Sequence, residues 1–292
     1  MKQSSVKETY KGIFYIVISA FCFALMSTCV RLAGDLPSVQ KSFFRNLVAV
    51  FSALVILLKD KKSFTIPKGN LKYLLLRSIC GTLGILCNYY AIDHLVLSDA
   101  SMLNKMSPFF AILFSFLLLK EKLDSVQLSA VIIAFCGSLL IIKPSFTNLA
   151  CVPALLGLLG GIGAGAAYTF VRILGQRGQK GPFVVFFFSA FSCLFCLPFV
   201  ILHYTPMTLR QLFILLGAGL AASGGQFAIT AAYYHAPAKE ISVYDYSQIL
   251  FSAVLGFFLF GQIPDRYSIL GYVIILSMAV WTFIHNNKKL RT

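Results

Sequence analysis

Charge is what this chain has least of. Only 12% of its residues are Asp, Glu, Lys or Arg, and only ten of 292 are acidic. Soluble globular proteins carry about a quarter charged residues, so this composition cannot clothe a water-facing surface. Tryptophan is nearly absent, with one Trp against 28 Phe. No polar or Gly/Ser-rich linker is long enough to mark off a soluble domain. Catalytic signatures are missing too: there is no HExxH, no pair of catalytic carboxylates and no Ser/His/Asp set at a loop. The eight cysteines fall almost entirely within apolar runs, and the Cys193–Cys196 CxxC has neither a second pair nor polar neighbours. They read as small buried hydrophobes rather than a redox or metal site. His94 and His235 also lack metal-ligand spacing. The sequence predicts no cofactor, no metal and no enzyme.

What is present is hydrophobic length. Hydrophobic residues make up 58% of the chain, and mean hydropathy is +0.82. Runs near twenty residues recur, each able to cross roughly 30 Å of hydrocarbon as a helix. Strand alternation over about ten residues, the mark of a membrane β-barrel, is not seen. The predicted spans are 12–33, 42–58, 71–92, 98–119, 125–142, 151–174, 182–202, 209–233, 240–260 and 266–285. The first follows a basic start but reaches full spanning length without a cleavage motif, so it reads as an uncleaved span. With the N-terminus inside, sixteen Lys and Arg fall in inner loops and four in outer ones. That bias predicts cytoplasmic termini in a multi-pass protein of the cytoplasmic membrane. It also accounts for the net charge of +15 without nucleic acid as a partner. The lipid bilayer and a small-molecule substrate are the partners expected, and the oligomeric state is not legible.

The chain repeats itself at an offset of 141 residues. Ala91, His94 and Ser101 meet Ala232, His235 and Ser242, Asp99 meets Glu240, and Asp124 meets Asp265. Val30-Arg31 meets Val171-Arg172, and Gly84 meets Gly225. Two halves follow, 1–145 and 146–292, of five spans each. Five is odd, so the second half inserts upside down. Inverted repeats characterise many secondary transporters, whose site lies between the halves near the midplane.

The segment NYYAIDHLVLSDASMLNKMSPFFAILFSFLLLKEKLDSVQLSAVIIAFCGSLLII resembles the EamA family of the drug/metabolite transporter superfamily. The likeness rests on Ser107-Pro108, the apolar run ending at Lys120-Glu121, and the late Gly137 of the fifth span. FLFGQIPDRYSILGYVIIL and DLPSVQKSFFRNLVAVF, with Arg45, extend it. The resemblance implies an all-α membrane fold of ten transmembrane helices as two inverted five-helix repeats. It also implies transport of a small solute, and the first half is similar to members that move S-adenosylmethionine or other organic metabolites. The second half departs from the pattern. Gln262 stands where the family often has Glu, Ile249 opposite Pro108 and Met278 opposite Gly137.

Ionisable groups inside a membrane cost about 2.5–3.5 kcal/mol each on insertion scales, which makes them functional candidates. Lys105 lies about 10 Å into the fourth span, counted at 1.5 Å per residue. Asp245 is the acid within the second half's spans, a candidate for substrate binding and for proton coupling. Straight spans leave an axial gap of roughly 10–12 Å between them, which speaks against a direct salt bridge. The predicted substrate-binding set is Asn88, Asn104, Lys105, Tyr168, Gln226, Tyr244, Asp245 and Gln248. Arg31, Arg45, Arg77 and Arg172 sit nearer span ends and read as interfacial anchors. Gly157, Gly161 and Gly165 recur every four residues, a smooth face for close helix packing and sliding. Together these features predict a secondary transporter for an anionic or zwitterionic, amino-acid-like or S-adenosylmethionine-like solute. A passive channel or an integral-membrane enzyme is the alternative.

Overall fold

The computed structural model describes residues 2–59, 64–119, 124–142, 151–235 and 243–289. Residues 240–242 of the predicted ninth span, and Lys120, Glu121 and Lys239 of the loops, lie outside them. Eleven helices are named among the described residues. They are α1 (Lys2–Leu32), α2 (Ser38–Lys59), α3 (Leu71–His94), α4 (Leu97–Asn104), α5 (Ser107–Leu119) and α6 (Ser125–Ile142), then α7 (Cys151–Gln176), α8 (Gly181–Leu202), α9 (Leu209–His235), α10 (Ser247–Phe260) and α11 (Arg266–Lys289). Among the described residues, nine stretches are long and apolar enough to span a membrane, and Leu128–Ile141 adds a shorter apolar helix. Ten spans are compatible with this set. Leu194, Leu202, Phe213 and Phe258 are each more than two-thirds exposed. In water such a surface would be costly, whereas lipid solvates it.

Packing follows the repeat. The first span (α1) packs against the eighth (α9), and the equivalent sixth span (α7) packs against the third (α3). The second and seventh spans pair with each other, as do the fifth and tenth. Small residues make the closest crossings. A Cβ added at Gly84 would come 3.2 Å from the Gly160 carbonyl, and one at Gly163 would come 2.8 Å from the Cys80 carbonyl. Gly271 likewise lies against the Gly137 carbonyl where α6 meets α11.

The fourth span is not one helix. It breaks at Lys105-Met106, where the Met106 N–H reaches back only three residues, to the Leu103 carbonyl. Pro108 sits in the first turn of α5, a position where its missing N–H costs nothing. The ninth span breaks at the same place in its own repeat. Tyr246 keeps helical φ and ψ but is a turn between Val243–Asp245 and α10, its N–H bonding to the Val243 carbonyl three residues back. Position 246 is 105 plus the repeat offset of 141.

Candidate functional site

The two broken spans lie side by side and antiparallel. Ser101 Oγ donates to Ser252 Oγ at 2.8 Å. Nearer the span ends, Leu97 lies against Gly256, and the Leu97 N–H donates to Gln262 Oε1 at 2.9 Å. Gly261 makes that return possible, since its φ of 61° closes α10 in the left-handed conformation.

This register corrects the sequence-based distance between Lys105 and Asp245. Lys105 lies four residues beyond Ser101, and Asp245 seven residues before Ser252. The axial offset is therefore about three residues, or about 4.5 Å, which a lysine side chain spans. Lys105 Nζ donates to Asp245 Oδ2 at 2.6 Å. Both residues are buried, at 2% and 1% exposure. The straight-span estimate failed because it set the ends of both spans level with the membrane faces. In the structure Leu97, the start of α4, lies beside Gly256, well inside the other end of its partner.

Beside the pair lies a small, half-open cavity. Six of the eight predicted residues line it: Asn88, Asn104, Lys105, Tyr168, Gln226 and Gln248. Asp245 reaches it only through Lys105. Tyr244 lies elsewhere, its ring edge-on to Phe283 of α11 at 6.0 Å.

The cavity also takes two residues read from sequence as anchors. Arg45, on α2, is 1% exposed and Arg77, on α3, is 3% exposed, and both line it. Arg77 lies over the Phe188 ring at 3.5 Å from the centroid. Gly81, one turn further along α3, makes room for it, since a Cβ there would come within 2.5 Å of Arg77 Nη1. Neither Nε nor Nη1 of Arg77 has a hydrogen-bond partner. Arg45 Nη1 donates to Asn46 Oδ1, while its Nε has no partner. Depth counting missed them because both lie only a turn or two from a predicted span end. The signal that could have found them is the absence of any acid within reach on their own helices.

The glycine face of α7 supports the fourth span's break. A Cβ at Gly161 would stand 2.6 Å from the Leu103 carbonyl, and one at Gly165 2.7 Å from the Ser107 carbonyl. One end of the bundle is tied shut by polar contacts. Lys41 Nζ donates to Asp93 Oδ1 at 2.6 Å, joined by Ser38 Oγ to Asp93 Oδ2. Arg31 donates to the Ile92 and Leu95 carbonyls and lies over the Phe260 ring.

Comparison with known proteins agrees with this architecture. The sequence profile of the EamA-like transporter family matches residues 10–143 and again 152–284. The pseudopaline exporter CntI of Pseudomonas aeruginosa is 33% identical over 267 residues, covering 91% of this chain and 93% of that protein. An uncharacterized transporter of Helicobacter pylori is 30% identical over 274 residues, covering 91% and 92%. Solute carrier family 35 member G1 of Homo sapiens is 27% identical over 298 residues, covering 92% and 78%. A crystal structure superposes with a TM-score of 0.68 at 14% identity, covering 97% of this chain and 98% of the other. That last likeness speaks for the fold alone. The chain belongs to the EamA-like transporter family and is a membrane transporter of a small solute.

Proposed function

We propose that this member of the EamA-like transporter family is a secondary transporter. It carries a small organic anion or zwitterion across the cytoplasmic membrane by alternating access, with both termini cytoplasmic and no chemical change to the solute. The halves 1–145 and 146–292 are the two repeats that frame the site, and the double match of the family profile supports that division. Efflux is the direction proposed, supported by the relative named as an exporter. The observation that carries the reading is the cavity itself. Three cations line it, Lys105, Arg45 and Arg77, and it sits where the two broken spans meet. Discontinuous helices at the interface of inverted repeats are the usual place for a transporter's substrate.

In this reading Lys105, Asn104, Asn88, Tyr168, Gln226 and Gln248 meet the solute, and Asp245 holds Lys105 in place. Asp245 is also the residue proposed for proton coupling. The test is flux of labelled amino acids and organic acids in proteoliposomes, with folding followed by thermal unfolding. Lys105→Ala and Asp245→Asn should each abolish flux and lower the unfolding temperature. Each strands a buried partner, a loss of about 3–5 kcal/mol where a charge is left unpaired. The double variant Lys105→Met/Asp245→Leu should recover stability but not flux. Full flux in the double variant would reduce the pair to a structural tie. Single-channel currents would replace the carrier by a channel.

A further inference from the structure

The cations in the cavity do not balance. Lys105 is neutralised by Asp245, which leaves Arg45 and Arg77 as two buried guanidinium groups in one cavity. Arg77 has no acid, carbonyl or amide at its Nε or Nη1, and Arg45 has none at its Nε. Buried charge without a partner is strongly unfavourable, and burying unbonded N–H groups adds to the cost. A fold that needed only packing would not keep them.

The geometry points to a ligand. Phe188 covers one face of the Arg77 guanidinium, and its Nε and Nη1 N–H groups have no hydrogen-bond partner among the described residues. Gly81 leaves the space that lets the guanidinium lie there. A guanidinium with open donors suits a carboxylate by charge and by hydrogen bonding. Arg45 has one amino group on Asn46 and keeps its Nε free. Tyr89 OH and Asn88 Oδ1 are buried beside the same cavity without partners. They would meet further polar atoms of the solute.

We propose that the cavity binds an organic solute bearing two carboxylates, one on Arg77 and one on Arg45. This rests on the transport reading above and narrows it, because a solute with a single acid leaves one arginine unpaired. Asp245 then holds Lys105 against the cavity between the spans, and the two arginines select the substrate by its carboxylates.

Ligand-induced stabilisation of the purified full-length protein tests this, since a solute that binds the folded state raises its unfolding temperature. The probes are straight-chain dicarboxylates from malonate to adipate, L-glutamate, the monomethyl ester of each dicarboxylate, and glycerol 3-phosphate. At least one dicarboxylate should stabilise the protein while its monoester binds about tenfold or more weakly, the weight expected of a charge-assisted pair. Arg77→Ala and Arg45→Ala should each remove the stabilisation. Without ligand, Arg77→Ala should unfold no earlier than the parent, because it deletes a buried charge that has no acidic counter-ion among the described residues. A merely structural arginine would lower that temperature. Gly81→Ala keeps both charges but crowds Arg77, and it should weaken the same dicarboxylate. Equal binding of monoester and diacid, stabilisation by the phosphate ester alone, or no stabilisation by any dicarboxylate would overturn the proposal. Flux that still depends on Lys105 and Asp245 would leave the transporter reading standing beside that failure.

Discussion

Gln262 shows how a single residue can keep a role while changing its charge. It stands where the family often carries Glu. Its side-chain carbonyl nevertheless accepts the Leu97 N–H, the first of α4. A helix N-terminus leaves its first N–H groups without intrahelical acceptors, and either side chain can supply an oxygen. Gln262→Glu should therefore keep flux and stability, with the negative charge favoured at that helix end. Gln262→Leu should cost about 1 kcal/mol, the usual weight of a lost cap, read as a lower unfolding temperature. Asn88, Asn104, Tyr168, Gln226 and Gln248 were legible at this scale, because polar groups deep in an apolar span have few other uses. Arg45 and Arg77 were misjudged, since counting residues from a span end gives depth but not direction. Tyr244 was misplaced for the same reason: its neighbour Asp245 points to Lys105, while Tyr244 faces Phe283.

At the scale of elements, the decisive features are two breaks and one glycine face. Pro108 announces the first break, because the chain before a proline resists the helical conformation. The second break, at Tyr246, has no proline and no glycine beside it, so nothing local in the sequence marks it. That is why the salt bridge was misread: straight spans kept Lys105 and Asp245 apart, and the true register brings them together. The stripe Gly157, Gly161, Gly165 was recognised as a packing face, yet its target was not. Gly161 and Gly165 lie against the backbone of the broken fourth span, and Gly157 against the Leu103 and Ala91 side chains. A Cβ at Gly161 would meet a carbonyl oxygen at 2.6 Å, and backbone cannot swing aside as a side chain can. Gly161→Ala should thus destabilise the protein by about 1–3 kcal/mol, the range for overpacking, and shift the junction that carries Lys105. Gly217, with open space around its Cβ position, is the control: Gly217→Ala should leave the unfolding temperature unchanged or raise it.

At the scale of the molecule, alternating access asks the tied end of the bundle to part. Polar ties there add to the apolar packing of Val30, Ile92, Leu95 and Leu97. Lys41 with Asp93 and Arg31 with two carbonyls join the ends of α1, α2 and α3. Asp93→Asn should ease opening at that end, seen as faster labelling of a cysteine placed at Ser38. Unchanged labelling would mean that this end does not gate. The number of spans and their repeat were readable from the chain, because length, hydropathy and charge bias are properties of segments. How the segments sit against each other was not, since it depends on which small residues meet across an interface.

The register of the two broken spans is the claim on which the site depends. Replacing the native cysteines and introducing Ser101→Cys with Ser252→Cys measures it, with the disulfide identified by mass spectrometry of the digested protein. The two hydroxyls lie 2.8 Å apart, so this pair should cross-link readily in membranes. Lys105→Cys with Ser252→Cys should not. If the second pair cross-links and the first does not, the spans are slipped by about one turn. Lys105 and Asp245 would then not meet, and the account would be wrong.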